Sequence, residues 1–171
     1  MSAAVVLATG SADATRAVAA ALAGLCVPGD VVLLSGDLGA GKTTFAQGFG
    51  RALGIDEPVT SPTFTLVRQY DVPVAPSGVR TLLHADVYRL DHLAEIADLG
   101  LGELVEDGGV ALVEWGEAAE PVLGAGALML ELVADPDDEA RRTVTVGAAT
   151  SSWSDRWDRL VAALAPWTVA P

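Results

Sequence analysis

The chain has 171 residues and is 51% hydrophobic, with 10 Lys or Arg against 23 Asp or Glu and a formal net charge of −13. That length and apolar content suit one domain with a sizeable core and exclude global disorder. The acidic excess argues against autonomous binding to nucleic acid and disfavours an anionic membrane surface, both of which draw on Lys and Arg.

In chain order, residues 4 to 8 predict a first strand, and residues 12 to 26 predict an amphipathic helix. Thr15, Val18, Leu22 and Leu25 share one helical face, Ser11 is placed to cap its start, and Pro28-Gly29 follow its end. Val31-Val32-Leu33-Leu34 is a continuous apolar run, as in a strand buried on both faces of a mainly parallel sheet. A glycine-rich turn leads from it to a second helix from about Lys42 to Leu53. Residues 64 to 70 and 81 to 86 predict two strands joined by a loose hairpin containing Pro73, Pro76 and Gly78. A helical segment over 92 to 107 then precedes a buried strand, Gly109 to Glu114, with a carboxylate at its C-terminal end. Strands over 127 to 134 and 142 to 147 flank the acidic turn at 135 to 138. Trp153, Trp157, Leu160, Val161 and Leu164 form a closing helical face that reads as core packing. The expected architecture is one α/β domain over 1–171, a P-loop NTPase sandwich with a mostly parallel central sheet and an antiparallel extension.

The lone Cys26 permits no internal disulfide and reads as a small buried hydrophobe. The stretch from Met1 to Leu7 lacks a basic leader, and no apolar run approaches the ~18 residues of a membrane span. A soluble cytoplasmic protein is expected.

Gly36-Asp37-Leu38-Gly39-Ala40-Gly41-Lys42-Thr43 satisfies G-x-x-x-x-G-K-[ST] at every fixed position and sits between a buried strand and an amphipathic helix. Glycines let backbone N–H groups converge on phosphate oxygens, the helix N-terminus adds positive potential, and the lysine reaches the β and γ phosphates. Lys42 is also the only lysine of the chain. Thr43 can ligate Mg²⁺, which needs a second acidic group from the end of a neighbouring strand. Glu114 and Asp86 are the candidates, both expected at the C-terminal edge of the sheet, where open α/β folds bind ligands. Thr60-Ser61-Pro62-Thr63-Phe64-Thr65 reads either as a switch segment sensing a γ-phosphate or as a plain turn. His84 and His92 have no metal-ligand spacing and read as packing or surface residues. Arg141-Arg142 reads either as a phosphate or base contact or as a balance to the acidic turn. With no asparagine and no second lysine, the chain lacks the Asn/Thr-Lys-x-Asp signature of guanine recognition, so an adenine nucleotide is favoured.

Four motifs in register closely resemble the TsaE (YjeE) ATPases: residues 36 to 45, Ser61-Pro62-Thr63-Phe64-Thr65-Leu66, His84-Ala85-Asp86-Val87-Tyr88-Arg89-Leu90, and Leu112-Val113-Glu114-Trp115. The resemblance weakens after about residue 120. It implies a bacterial P-loop ATPase that helps install the N6-threonylcarbamoyl group on adenosine 37 of tRNAs reading ANN codons, together with TsaB and TsaD. It further implies that Gly39, Ala40, Gly41, Lys42, Thr43 and Thr44 bind ATP phosphates and that Thr43 and Glu114 hold Mg²⁺. Asp86 would act as a catalytic carboxylate, beside Lys42 and Glu114. Thr9, Thr15 and Arg141 would lie near the nucleoside, and Trp115 would be a site aromatic or a packing residue. Contact with tRNA is expected only through the TsaB-TsaD assembly, with no membrane involvement. A small-molecule kinase and a nucleotide-gated interaction module are the alternatives, separated by whether phosphate is released, transferred to a metabolite, or irrelevant to binding.

Overall fold

In the computed structural model, residues 3–62, 66–73, 77–148 and 151–170 are described. The expectations that fall on Met1, Ser2, Thr63, Phe64, Thr65 and Pro76 lie outside them.

Alternation and continuous apolar runs produce seven strands: β1 (Ala3–Thr9), β2 (Val31–Ser35), β3 (Val67–Asp71), β4 (Thr81–Asp86), β5 (Gly109–Glu114), β6 (Leu128–Ala134) and β7 (Arg142–Ala148). They form one sheet in the order β1-β7-β6-β2-β5-β4-β3. The centre, β6-β2-β5-β4, is parallel throughout. Antiparallel pairings add β7 and β1 at one side and β3 at the other. The expected parallel sheet with an antiparallel extension is therefore present, with antiparallel strands on both flanks. β5 is buried along its whole length, as its unbroken apolar run requires.

Helix α1 (Ala12–Ala23) starts where expected, with the Ser11 hydroxyl accepting the Ala14 N–H. It packs on α2 (Lys42–Ala52) so closely that a Cβ on Gly48 would lie 2.5 Å from the backbone of Arg16. The helix expected over 92 to 107 is instead two short ones, α3 (Leu93–Asp98) and α4 (Leu101–Glu106). Gly100 between them has φ +67°, a left-handed conformation that a right-handed helix cannot propagate through. His92 caps α3 at the surface through a capping box with Glu95. Helix α5 (Gly116–Leu123) had no sequence signal, because its buried contacts are Gly116 and Ala119 and Pro121 sits inside it.

The C-terminal segment is a 3-10 helix (Ser151–Arg156) followed by α6 (Trp157–Leu164). Trp153, Leu160 and Leu164 are buried, which matches the packing reading, while Trp157 and Trp167 are partly buried against the same core. Trp153 belongs to the 3-10 helix, so the expected face is shared by two elements. Cys26 is buried in this core, and burial pushes its thiol well above the ordinary range. The segment is clamped by Arg156, whose guanidinium lies 3.9 Å from the Trp153 ring centre and donates to both oxygens of buried Asp30 at 2.7 and 2.9 Å. Arg156→Met leaves the buried Asp30 carboxylate with the backbone N–H of Val27 as its donor among the described residues, and removing one partner of a buried pair costs about 3 kcal/mol. Urea unfolding should show that loss without a change in nucleotide affinity.

Candidate functional site

The end of β2 opens into the glycine-rich turn because three of its residues adopt backbone conformations with positive φ: Gly36 (+142°), Gly39 (+80°) and Gly41 (+106°). At Gly36 a Cβ would also meet the Leu132 carbonyl oxygen at 2.4 Å, so glycine is required for space as well as angle. Helix α2 begins directly after Gly41, with no side-chain cap and no acidic residue in its first turn. Its leading N–H groups and positive dipole end are left for an anion.

Lys42 is buried, and its ammonium donates to the Gly36 carbonyl and, at 2.8 Å, to the Asp37 carbonyl. It also lies 4.0 Å from the centre of the Trp115 ring. Burial holds its pKa below the ordinary lysine value, opposed by the carboxylates of Glu114, Glu117, Asp86 and Asp37. Trp115 adopts φ +61°, rare for a bulky residue, and its ring packs on Tyr88 with centres 4.6 Å apart. Strained backbone of this kind concentrates at functional sites.

The two strand-end acids are register partners on adjacent parallel strands, Asp86 opposite Glu114. Both are buried, where ordinary strand-end carboxylates would be solvated. Glu114 Oε1 accepts the Thr43 hydroxyl at 2.8 Å, and Oε2 lies 3.1 Å from His84 Nε2. Asp86 accepts the Tyr88 N–H at 2.9 Å and the Ser61 hydroxyl at 3.4 Å. Ser61 thus reaches the site from the hydroxyl-rich segment, whereas Thr60 donates its N–H to the Tyr70 hydroxyl. His84 is a packing residue by burial and a site residue by contact, and the sequence reading missed the second. Its parity with Asp86, two residues on along β4, was the available signal.

Lys42, Thr43, Ser61, Asp86, Glu114 and Trp115 share a cavity of about 310 Å³ with Gly39, Gly41, Thr44 and Arg142, and His84 lies behind it. A second space of about 190 Å³ adjoins it, lined by Thr15, Thr44, Ala140 and Arg142. The Thr15 hydroxyl is 2.9 Å from that of buried Thr9, which backs the wall without lining it. Ala40 is buried, with its N–H donated to the Asp37 carbonyl. A larger groove of about 740 Å³ lies between α1 and α2 and holds none of the turn glycines or strand-end acids. Chemistry therefore marks the smaller cavity.

Arg141 has a largely exposed guanidinium that faces Asp135 at 3.7 Å, and it lines neither of the two smaller spaces. The arginine brought to the turn is Arg142, donating to the Ala40 carbonyl at 2.9 Å and to the Gly39 carbonyl at 3.3 Å. Arg142 opens β7 with the same parity as buried Val144 and Val146, so alternation turns it inward. Arg142→Met should weaken ATP binding about tenfold through loss of the turn's support, since hydrogen bonds from a charged group are worth about 1.5–3 kcal/mol, while Arg141→Met should leave it within about twofold. Calorimetric titration with a non-hydrolysable ATP analogue checks both.

The TsaE family model, described as threonylcarbamoyl adenosine biosynthesis protein TsaE, matches residues 9–144. The chain is 44% identical over 133 residues to the tRNA threonylcarbamoyladenosine biosynthesis protein TsaE of Bacillus subtilis, covering 78% of this chain and 80% of that one. It is 41% identical over 140 residues to the protein of the same name in Streptomyces coelicolor, covering 80% and 88%. The crystal structure of Bacillus subtilis YdiB superposes with a TM-score of 0.75 at 36% identity, over 97% of each chain. By sequence motifs, family match and fold, the chain belongs to the TsaE family.

Proposed function

We propose that this protein is a Mg²⁺-dependent ATPase that serves tRNA threonylcarbamoyladenosine biosynthesis in the cytoplasm, working with a TsaB-TsaD complex. The observation that carries the reading is the Thr43–Glu114 hydrogen bond beside the single lysine, in a cavity floored by an uncapped helix N-terminus. No helix among the described residues is long and apolar enough to cross a membrane.

The residues present fit a nucleotide and its metal. Open backbone at Gly39, with nothing within 4 Å of an added Cβ, leaves room for phosphate oxygens to approach the chain. One hydroxyl and two buried carboxylates form a hard oxygen donor set suited to Mg²⁺, which is held by one or two carboxylates together with phosphates. Bound Mg²⁺ would supply charge neutralisation at the β and γ phosphates.

Lys42 would exchange its two neutral carbonyl partners for charged phosphate oxygens, a stronger, charge-assisted contact. Thr43 and Glu114 would hold the metal, and Thr44 would bind phosphate at the start of α2. Asp86, buried and fixed by the Tyr88 N–H, would orient the attacking water, with Ser61 reporting on that carboxylate from the preceding segment. Thr15 and Arg142 would bound the nucleoside side. Among the described residues lining the cavity, Lys42 and Arg142 are the cations, and Arg142 is committed to the turn's carbonyls. The charge that stabilises the transition state is therefore best completed in trans by the partner complex. A net charge of −13 suits docking to protein better than direct contact with tRNA.

Lys42→Ala should lower ATP affinity at least about tenfold, the loss of a charge-assisted contact worth about 1.5–3 kcal/mol; an unchanged titration would overturn the P-loop assignment. Glu114→Gln should raise the Mg²⁺ concentration needed for activity, and Asp86→Asn should lower turnover about 100-fold with little change in binding. Phosphate release measured with each component omitted in turn should be slow for the isolated chain and accelerated by TsaB-TsaD. Rapid hydrolysis without any response to that complex would refute partner gating, and transfer of the phosphate to a metabolite would favour a kinase.

A further inference from the structure

We propose that His84 is a positioning residue that fixes the Glu114 carboxylate for metal binding, an inference that rests on the metal-nucleotide reading above. His84 is fully buried in β4 on the same sheet face as Leu82 and Leu112. On that face a leucine would pack without polar atoms. The imidazole instead leaves Nδ1 buried without a hydrogen-bond partner among the described residues, a situation that is unfavourable for a polar atom. Its other nitrogen, Nε2, lies 3.1 Å from Glu114 Oε2.

A carboxylate only accepts, so Nε2 carries a ring hydrogen and Nδ1 is the nitrogen that remains unpaired. Glu114 then has one donor on each oxygen, Thr43 on Oε1 and His84 on Oε2. The two donors come from different elements, α2 and β4, so the carboxylate is held from both sides of its own strand. Asp86 opposite it in register would otherwise favour a rotamer that separates the two negative charges. The His84 contact opposes that swing and keeps Oε1 on the Thr43 side, where the metal would be held. Partners behind a metal-binding carboxylate typically change metal affinity 10–100-fold when lost.

The test measures Mn²⁺ binding by electron paramagnetic resonance in the presence of ADP, using the full chain. His84→Leu removes the donor together with the unpaired nitrogen and keeps the packing volume. His84→Asn keeps an amide that stops near the Nδ1 position, and His84→Gln carries an amide donor out to the Nε2 position. His84→Leu and His84→Asn should bind Mn²⁺ at least about tenfold more weakly, with His84→Gln restored to within about threefold of the unaltered chain. ADP affinity measured in EDTA should be the same in all of them. In a Glu114→Gln background, His84→Leu should cause no further loss of Mn²⁺ affinity. Retention of Mn²⁺ affinity in His84→Leu, or failure of His84→Gln to restore it, overturns the positioning role. Absence of ADP-linked Mn²⁺ binding by the unaltered chain would instead overturn the metal-nucleotide reading, and this inference with it.

Discussion

The hydrogen bond from Thr43 to Glu114 joins residues 71 positions apart in the chain, and the architecture of the centre serves to make it possible. β2 delivers the glycine-rich turn, while β5, hydrogen-bonded beside it in parallel register, delivers the carboxylate. Because the strands run the same way, both termini arrive at one edge, and β4 brings Asp86 to that edge as well. An antiparallel pairing of β2 with β5 would put the turn and the acid at opposite ends of the sheet. The parallel centre is thus a condition of the site, and of the antiparallel flanks β7 adds Arg142 behind the turn.

Much of this was legible in the residues. The unbroken apolar runs of β2 and β5 announced strands covered on both faces, and Gly36 to Thr43 announced a phosphate-binding turn because few other purposes need that spacing. The outcome was less legible where the signal was local and the answer depended on geometry. Gly100 breaks a helical pattern that hydrophobic periodicity alone carries through it, since periodicity records burial and not the sign of φ. Helix α5 is short, buries only Gly116 and Ala119 and carries Pro121 inside it, a residue that ordinarily argues against a helix. The choice between Arg141 and Arg142 turns on one step of strand register, and the inward residue is settled only when Val144 and Val146 define the buried face.

Electrostatics follow the same division between chain and fold. The chain is strongly acidic, and its only lysine is drawn into a place where several carboxylates and two backbone carbonyls surround it. Desolvation weakens the hold of that charge on its proton and the neighbouring acids strengthen it. The ammonium consequently rests in a polar but partly dehydrated niche against Trp115. An anion entering there meets a cation already held at the turn, and binding has to replace the two carbonyl partners of its ammonium with the anion's own oxygens.

The C-terminal segment bears on a different problem, that of open sheet edges. β1 pairs with β7 on one side, and its other side would present free N–H and C=O groups, a template for strand addition by another chain. The segment after α6 returns to that side, where Thr168 bridges Leu7 in antiparallel sense and the Val169 N–H bonds the Val6 carbonyl at 3.0 Å. The Asp30–Arg156 clamp, by fixing the segment from its beginning, therefore also guards the edge. Loosening it would expose half-buried Trp167 and the β1 ladder together, which makes self-association through this edge the natural failure of a weakened molecule.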